Sequence, residues 1–256
     1  MTKEVNPTTR FSSRVDNYVR YRPGYPAEII DLLRRDCGLT QDSLIADIGS
    51  GTGKLTELFL ENGNQVFGVE PNKEMREAGE RLLAKFPRFR STDGKAEATT
   101  LPESSVDLIT IGQAFHWFDL DSCRIEFSRI LKPGGRVAII WNDRLVETTS
   151  FLVAYDALLR EFSTDYEQVN HRRFNDGEVV RRFFGESAHL KNIQNAQQFD
   201  FDGLKGRLLS SSYAPEAGQP KHDEMIEALK RIFEAHQKNG LVIFEYETHV
   251  YYGQLT

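Results

Sequence analysis

The sequence predicts an α/β fold built on a doubly wound, mostly parallel sheet, and three observations carry that expectation. The first is the run Ile45-Ala46-Asp47-Ile48 passing into Gly49-Ser50-Gly51-Thr52-Gly53 and then into an amphipathic pattern through Leu55, Leu58 and Phe59, which reads as strand, glycine turn, helix. Glycine suits such a turn because the backbone there takes positive φ or lets a ligand approach closer than a Cβ allows. The second is an apolar run from Gln65 to Val69 that ends in Glu70, about seventeen residues after Gly53. An acid at the end of a second strand can accept both hydroxyls of a ribose. The third is the continued alternation of strand and helix signals as far as Asn142.

Taken in order, residues 26–36 read as a helix with Ile29, Ile30, Leu32 and Leu33 on its buried side. Strand one spans about 43–48 and strand two about 65–70. Asn72 is placed as an N-cap, with Met75 in the first turn of a helix that ends before Pro87. A short, weakly marked third strand falls around 88–92 and a fourth at 105–112. A helix at about 119–131 leads to Lys132-Pro133-Gly134-Gly135, which turns the chain into strand five at 136–142.

Beyond Asn142 the clean alternation stops. Helical patterns cover 149–162 and 221–238, with a shorter one near 176–184, and apolar alternation returns in 190–201 and 241–252. These two runs predict a pair of final strands, one of them antiparallel, for seven strands in all, with the intervening helices lying over the site as a lid. With no linker, repeat or low-complexity segment, residues 1–256 read as one domain: a core at about 26–145, an N-terminal cap at 1–25 and lid insertions at about 149–238.

The glycine spacing decides which nucleoside is expected. A dinucleotide fingerprint reads G-x-G-x-x-G, but here the glycines fall at 49, 51 and 53 and Lys54 stands where the third belongs. Asp47, two residues before the first glycine, would repel a pyrophosphate and suits a ligand with a cationic amino group. An acid followed by G-x-G-x-G resembles the first motif of the class I S-adenosylmethionine-dependent methyltransferases. The resemblance continues through Asp93-Gly94-Lys95-Ala96-Glu97, Leu101-Pro102, Ser105 to Thr110, Gln113 to Phe118 and Glu126 to Gly135. It covers about residues 11–145 and, more weakly, the C-terminal part. Gln113 to Phe118 and the opening Tyr18 to Pro26 are similar to a small-molecule subgroup that includes trans-aconitate methyltransferase-like proteins.

The resemblance implies a Rossmann-like fold that binds S-adenosylmethionine and releases S-adenosylhomocysteine. It implies that the loop of Gly49, Ser50, Gly51 and Gly53 backs the methionine part, that Glu70, with Pro71 and Asn72 beside it, holds the ribose, and that Ala96 and Glu97 reach the adenine. Met75 either packs in the core or meets the adenine face, since thioether sulfur packs well on aromatic rings. Gln113 and Ala114 are expected to line the cofactor, and Tyr18 to fold over its methionine end. His116 has two readings, a structural ring beside Trp117 and Phe118 or a base or substrate contact at the sheet's carboxyl edge. Arg22, Tyr25, Trp117, Arg144 and Tyr213 are the remaining candidates for the substrate side, and arginine there points to an anionic acceptor such as a carboxylate.

Such chemistry needs alignment and exclusion of water more than special residues, and a general base matters only for a protonated nucleophile. A non-catalytic cofactor-binding sensor with the same fold and an NAD-dependent oxidoreductase are the alternatives; Asp47 and the glycine spacing weigh against the second. The formal net charge of −6 argues against a general nucleic-acid binder. Cys37 and Cys123, the two cysteines, indicate neither a disulfide framework nor a zinc site. The chain has no apolar signal core at its N-terminus and no membrane-spanning run, so a cytoplasmic enzyme is expected.

Overall fold

In a computed structural model, residues 15–163 and 177–255 are described. Seven strands form one sheet: β1 (Leu44–Ile48), β2 (Gln65–Val69), β3 (Phe89–Thr92), β4 (Val106–Gly112), β5 (Leu131–Arg144), β6 (His189–Phe199) and β7 (Val242–Gly253). Their order is β3-β2-β1-β4-β5-β7-β6. The first five are parallel, while β7 runs antiparallel to both β5 and β6. The single antiparallel strand read from the sequence is therefore β7. From β1 the chain winds outward through β2 and β3, then returns to the other side through β4. That reversal opens a crevice at the carboxyl ends of β1 and β4, where ligands bind in open α/β sheets.

Strand alternation fills both faces of the sheet. Ile109, Ile111, Val137 and Ile139 point to one face, where they meet Phe127 and Ile130 of α5 (Leu120–Ile130) and Val180 and Phe183 of α7 (Gly177–Phe184). Leu108, Ala138 and Ile140 point to the other, against Ile29 and Leu33 of α2 (Glu28–Cys37) and Leu55 and Phe59 of α3 (Lys54–Glu61). The apolar residues that the sequence assigns to the buried side of α2 are all buried. Asn72 caps α4 (Lys73–Leu83) as expected, its side chain accepting a 2.9 Å bond from the Met75 amide.

Two features differ from the sequence expectation. Lys132-Pro133-Gly134-Gly135 does not precede β5 but lies within it: Leu131 already pairs with Val106, and the register resumes at Leu108 with Arg136. The second is α8 (Phe201–Leu209), a helix where the sequence pattern shows none. Its weak amphipathic signal comes from two interior glycines, and Gly206 has a packing reason. A Cβ there would lie 2.1 Å from the Tyr21 ring of α1 (Val15–Tyr21), so glycine lets the N-terminal helix seat against α8. Asp200 starts α8 by accepting a 2.8 Å bond from the Gly203 amide.

A third apolar core lies away from the parallel strands. It joins α6 (Ser150–Phe162), α8 and α9 (His222–His236) to the outer ends of β6 and β7. Phe244 of β7 is fully buried at its centre, edge-on to Tyr155 at 4.7 Å, Phe151 at 5.4 Å and Phe199 at 5.8 Å. Because β5 keeps pairing with β7 as far as Arg144 and Tyr246, this helical layer is built directly onto the sheet at the crevice. Among the described residues no helix is long and apolar enough to cross a membrane.

Candidate functional site

A cavity of about 500 Å³ opens at the carboxyl edge of β1, β2, β4 and β5 and runs beneath the helical layer. Its floor is the glycine loop after β1. Gly49, Gly51 and Gly53 all have positive φ, at 68°, 57° and 87°. Gly49, Ser50 and Gly51 line the cavity, whereas Gly53 does not. A Cβ on Gly53 would lie 2.5 Å from Leu83, so this third glycine lets α3 seat against α4.

Two carboxylates stand at this end. Asp47 is only 1% exposed, and its two oxygens accept from the Thr56 hydroxyl at 2.6 Å and the Thr110 hydroxyl at 3.1 Å. Thr110 reaches it because β1 and β4 pair in the register Asp47 to Thr110. Burial raises the Asp47 pKa to about 7 against the effect of these hydroxyls. Glu70 directly follows β2, each of its oxygens accepting from one backbone amide, Gly51 at 2.9 Å and Asn72 at 2.8 Å. It thereby ties the glycine loop to the neighbouring strand exit and keeps lone pairs for a ligand. Its pKa is also raised, by burial first, with the two amides opposing.

Pro71, Asn72 and Met75 continue the lining, and Ala96 and Glu97 line the cavity as well. Glu97 also accepts from the Asp119 amide at 3.0 Å, at the start of α5. Gln113 and Ala114 line the cavity where β4 ends. Gln113 sits at φ 61°, a conformation uncommon outside glycine, and its side-chain amide donates to the Asn142 carbonyl at 3.1 Å. His116 and Trp117 follow, on a 3₁₀ turn. The His116 ring lies 4.4 Å from Trp117 and 5.2 Å from Trp141, and it also lines the cavity, so both sequence readings of this residue have a structural counterpart.

The far end is lined by Arg22, Arg144 and Tyr213, all named by the sequence, together with Arg207 and Tyr246, which were not. Tyr25 also lines the cavity but packs at the end of β4, where a Cβ on Gly112 would lie 2.5 Å from its hydroxyl. Arg22 donates to the Ser210 carbonyl at 3.1 Å. Arg144 is held by Asp156 of α6 at 2.6 Å and lies over the Tyr155 ring at 5.3 Å. Tyr213 is pulled below the ordinary tyrosine value: burial raises it, but the charges of Arg207, Arg22 and Arg144 outweigh burial. The side chain of Tyr18 lies outside the described residues. Lys54 was read only as a break in the glycine pattern, yet it lines the cavity half-buried; burial lowers its pKa. Arg207 and Tyr246 were missed because α8 has no clear helical periodicity and β7 shows only alternation. Among the described residues no group of three or more His, Cys, Asp or Glu side chains is placed to hold a metal.

The sheet order and the crevice at its carboxyl edge together define an α/β protein of the doubly wound kind. Residues 46–139 match the family model described as a methyltransferase domain. The chain is 40% identical over 134 residues to an uncharacterized methyltransferase of Mycobacterium tuberculosis, spanning about half of each, 52% of either chain. It is 30% identical over 187 residues to a Dictyostelium discoideum protein named as a methyltransferase, covering 70% of this chain and 69% of the relative. In structure it is similar to a protein of Anaeromyxobacter dehalogenans named as a type II methyltransferase, with a TM-score of 0.66, 21% identity and coverage of 92% and 98% of the two chains. The chain belongs to the methyltransferase domain family, of the S-adenosylmethionine-dependent class I type that its motifs resemble.

Proposed function

We propose that this chain transfers a methyl group from S-adenosylmethionine to a small anionic molecule, with a carboxylate as the favoured acceptor. One observation carries the reading. A single cavity joins the glycine loop and Glu70 at one end to the arginines and Tyr213 at the other. The likeness of Tyr18 to Pro26 and Gln113 to Phe118 to trans-aconitate methyltransferase-like proteins is in keeping with it.

The residues present fit the methyl donor. Glu70 is a buried carboxylate with accepting capacity left beyond its two amides, which suits a ribose diol. Gly51 leaves open the space its Cβ would take, 3.4 Å from the Met75 methyl, and Met75 offers an apolar face to a purine. Asp47 sits under the loop where an ammonium group would favour its ionised form. Bound S-adenosylmethionine supplies a methyl group already activated on a sulfonium centre. The chain's own work is to fix the two reactants in line and to keep water away, and alignment can lower a barrier by roughly 7–11 kcal/mol. Trp117, Phe118 and Trp141 give the cavity apolar lining that helps to exclude water. The arginines hold an anionic acceptor, and an ionised carboxylate needs no general base.

Incubation with tritiated S-adenosylmethionine and a small-molecule extract tests the reading. Label is expected in a low-mass product and is expected to be released by mild base, as from a methyl ester. Label confined to protein or nucleic acid, or absent altogether, contradicts it.

A further inference from the structure

We propose that Arg207 is the specificity-determining anchor of the acceptor, its guanidinium group receiving the oxyanion of the molecule to be methylated. This deepens the methyl-transfer reading above and rests on it. Arg207 is 6% exposed, on α8, and lines the cavity. Its Nε donates to the Tyr246 hydroxyl at 3.2 Å and its Nη1 to the Ser211 hydroxyl at 3.3 Å; its face lies over the Phe244 ring at 5.7 Å. Both hydrogen-bond partners are hydroxyls, and among the described residues no carboxylate pairs with it.

Arg144, one of the two arginines the sequence nominated, is arranged differently. Asp156 matches its charge and also takes Arg160 at 2.9 Å. A buried guanidinium without a counter-ion is costly to a fold, and it stays charged at any working pH. Burial works against the charge on Arg207, but the oxygens of Tyr246, Tyr155 and Tyr213 raise its pKa further. Two of its five N–H donors are used on hydroxyls, which leaves donors of a planar fork for a carboxylate or phosphate. The two hydroxyls fix the fork's direction, and the Phe244 ring fixes its plane. Such a group is complementary to an anion brought in by the ligand, and it discriminates sharply against a neutral analogue that leaves the charge unpaired.

Trp117 and Trp141 are the two tryptophans of the chain and both line the cavity, so intrinsic fluorescence reports on its contents. The test titrates the protein, saturated with S-adenosylhomocysteine, with succinate, inorganic phosphate and the neutral succinamide. Saturable binding of at least one of the two anions and none of succinamide is expected. The bound anion identifies whether a carboxylate or a phosphate is preferred. Arg207→Gln should weaken that anion at least about thirtyfold, and Arg207→Lys, which keeps the charge and loses the fork, by about tenfold. S-adenosylhomocysteine affinity should stay within about twofold in both variants, since its expected partners lie at the other end. Unchanged anion affinity in either variant overturns the inference. So does a wild-type protein that binds S-adenosylhomocysteine but neither anion. Should Arg207→Gln also lose S-adenosylhomocysteine, the lysine variant decides by the same criterion. A wild-type protein that does not bind S-adenosylhomocysteine defeats the methyl-transfer reading itself, which separates the two failures.

Discussion

The two ends of the cavity are built by different means. At the cofactor end, Asp47 to Thr52 and Glu70 to Met75 are two short consecutive stretches at adjacent strand exits, and much of their order comes from the backbone. Glu70 is held by two amides and Asn72 caps its own helix. At the acceptor end, residues 22, 144, 207, 213 and 246 come from four separate stretches of chain and are held mainly by side chains, through Ser211, Asp156 and the Tyr246 hydroxyl. A site made of consecutive residues is specified by local turn chemistry. A site made of distant residues exists only once the layer of α6, α8 and α9 has packed. The first kind keeps one ligand across many proteins, and the second is free to change its ligand with a few substitutions.

If that contrast is right, the largest effect follows from damaging the core beneath the acceptor end. Phe244→Ala removes the ring on which Phe151, Tyr155 and Phe199 converge and over which Arg207 lies. Denaturant unfolding should show a loss of about 3–5 kcal/mol. Below the unfolding transition, S-adenosylhomocysteine affinity should hold within about twofold while anion binding is lost. Equal loss of both ligands would mean that the two ends are one cooperative unit.

A smaller effect sharpens the comparison from the other side. Glu70→Ala removes a charge-assisted partner worth about 1.5–3 kcal/mol, so S-adenosylhomocysteine should bind roughly ten- to a hundredfold more weakly by calorimetry. Anion affinity, read from tryptophan emission, should stay as in the wild type. An unchanged cofactor affinity in the folded variant takes Glu70 out of the site.

The smallest expected effect is a pH dependence confined to the cofactor end. Asp47 has a folded pKa of about 7 against an ordinary value of 3.8, so the folded protein binds its proton more tightly than the unfolded chain. Its contribution to stability therefore falls as pH rises from about 4 to about 7 and is level above that. Ligand affinity moves the opposite way, because only the ionised form attracts an ammonium group. S-adenosylhomocysteine should bind more weakly below pH 7, by up to about tenfold per pH unit, and Asp47→Asn should flatten that slope. A wild-type slope that persists in Asp47→Asn assigns the titration to another group.

How far the sequence could be read follows the same division. The strand, glycine turn, helix signature, the acid just after β2 and the Asn72 cap were legible because each depends on neighbours within a few residues. Gly53 was read as a ligand contact from its spacing in the motif; what the fold adds is its packing against Leu83, thirty positions along the chain, which no local pattern shows. Arg207 was not legible at all. Nothing in Phe201 to Leu209 distinguishes a surface basic residue from a buried one, and its glycines hide the helix that α1 and Tyr21 require. Arg144 was found through its place just past Trp141-Asn142-Asp143, at the end of β5, but its match to Asp156 depends on α6 folding back over the sheet.

A crystal structure of the chain with S-adenosylhomocysteine bound tests the central claim most directly, since the account rests on one cavity with a cofactor end and an acceptor end. The ribose hydroxyls are expected on the Glu70 carboxylate, the purine against Met75, and the sulfur turned toward the space in front of Arg207. A ligand seated with its nucleoside among Arg22, Arg144 and Arg207, or bound outside the cavity, would contradict the account.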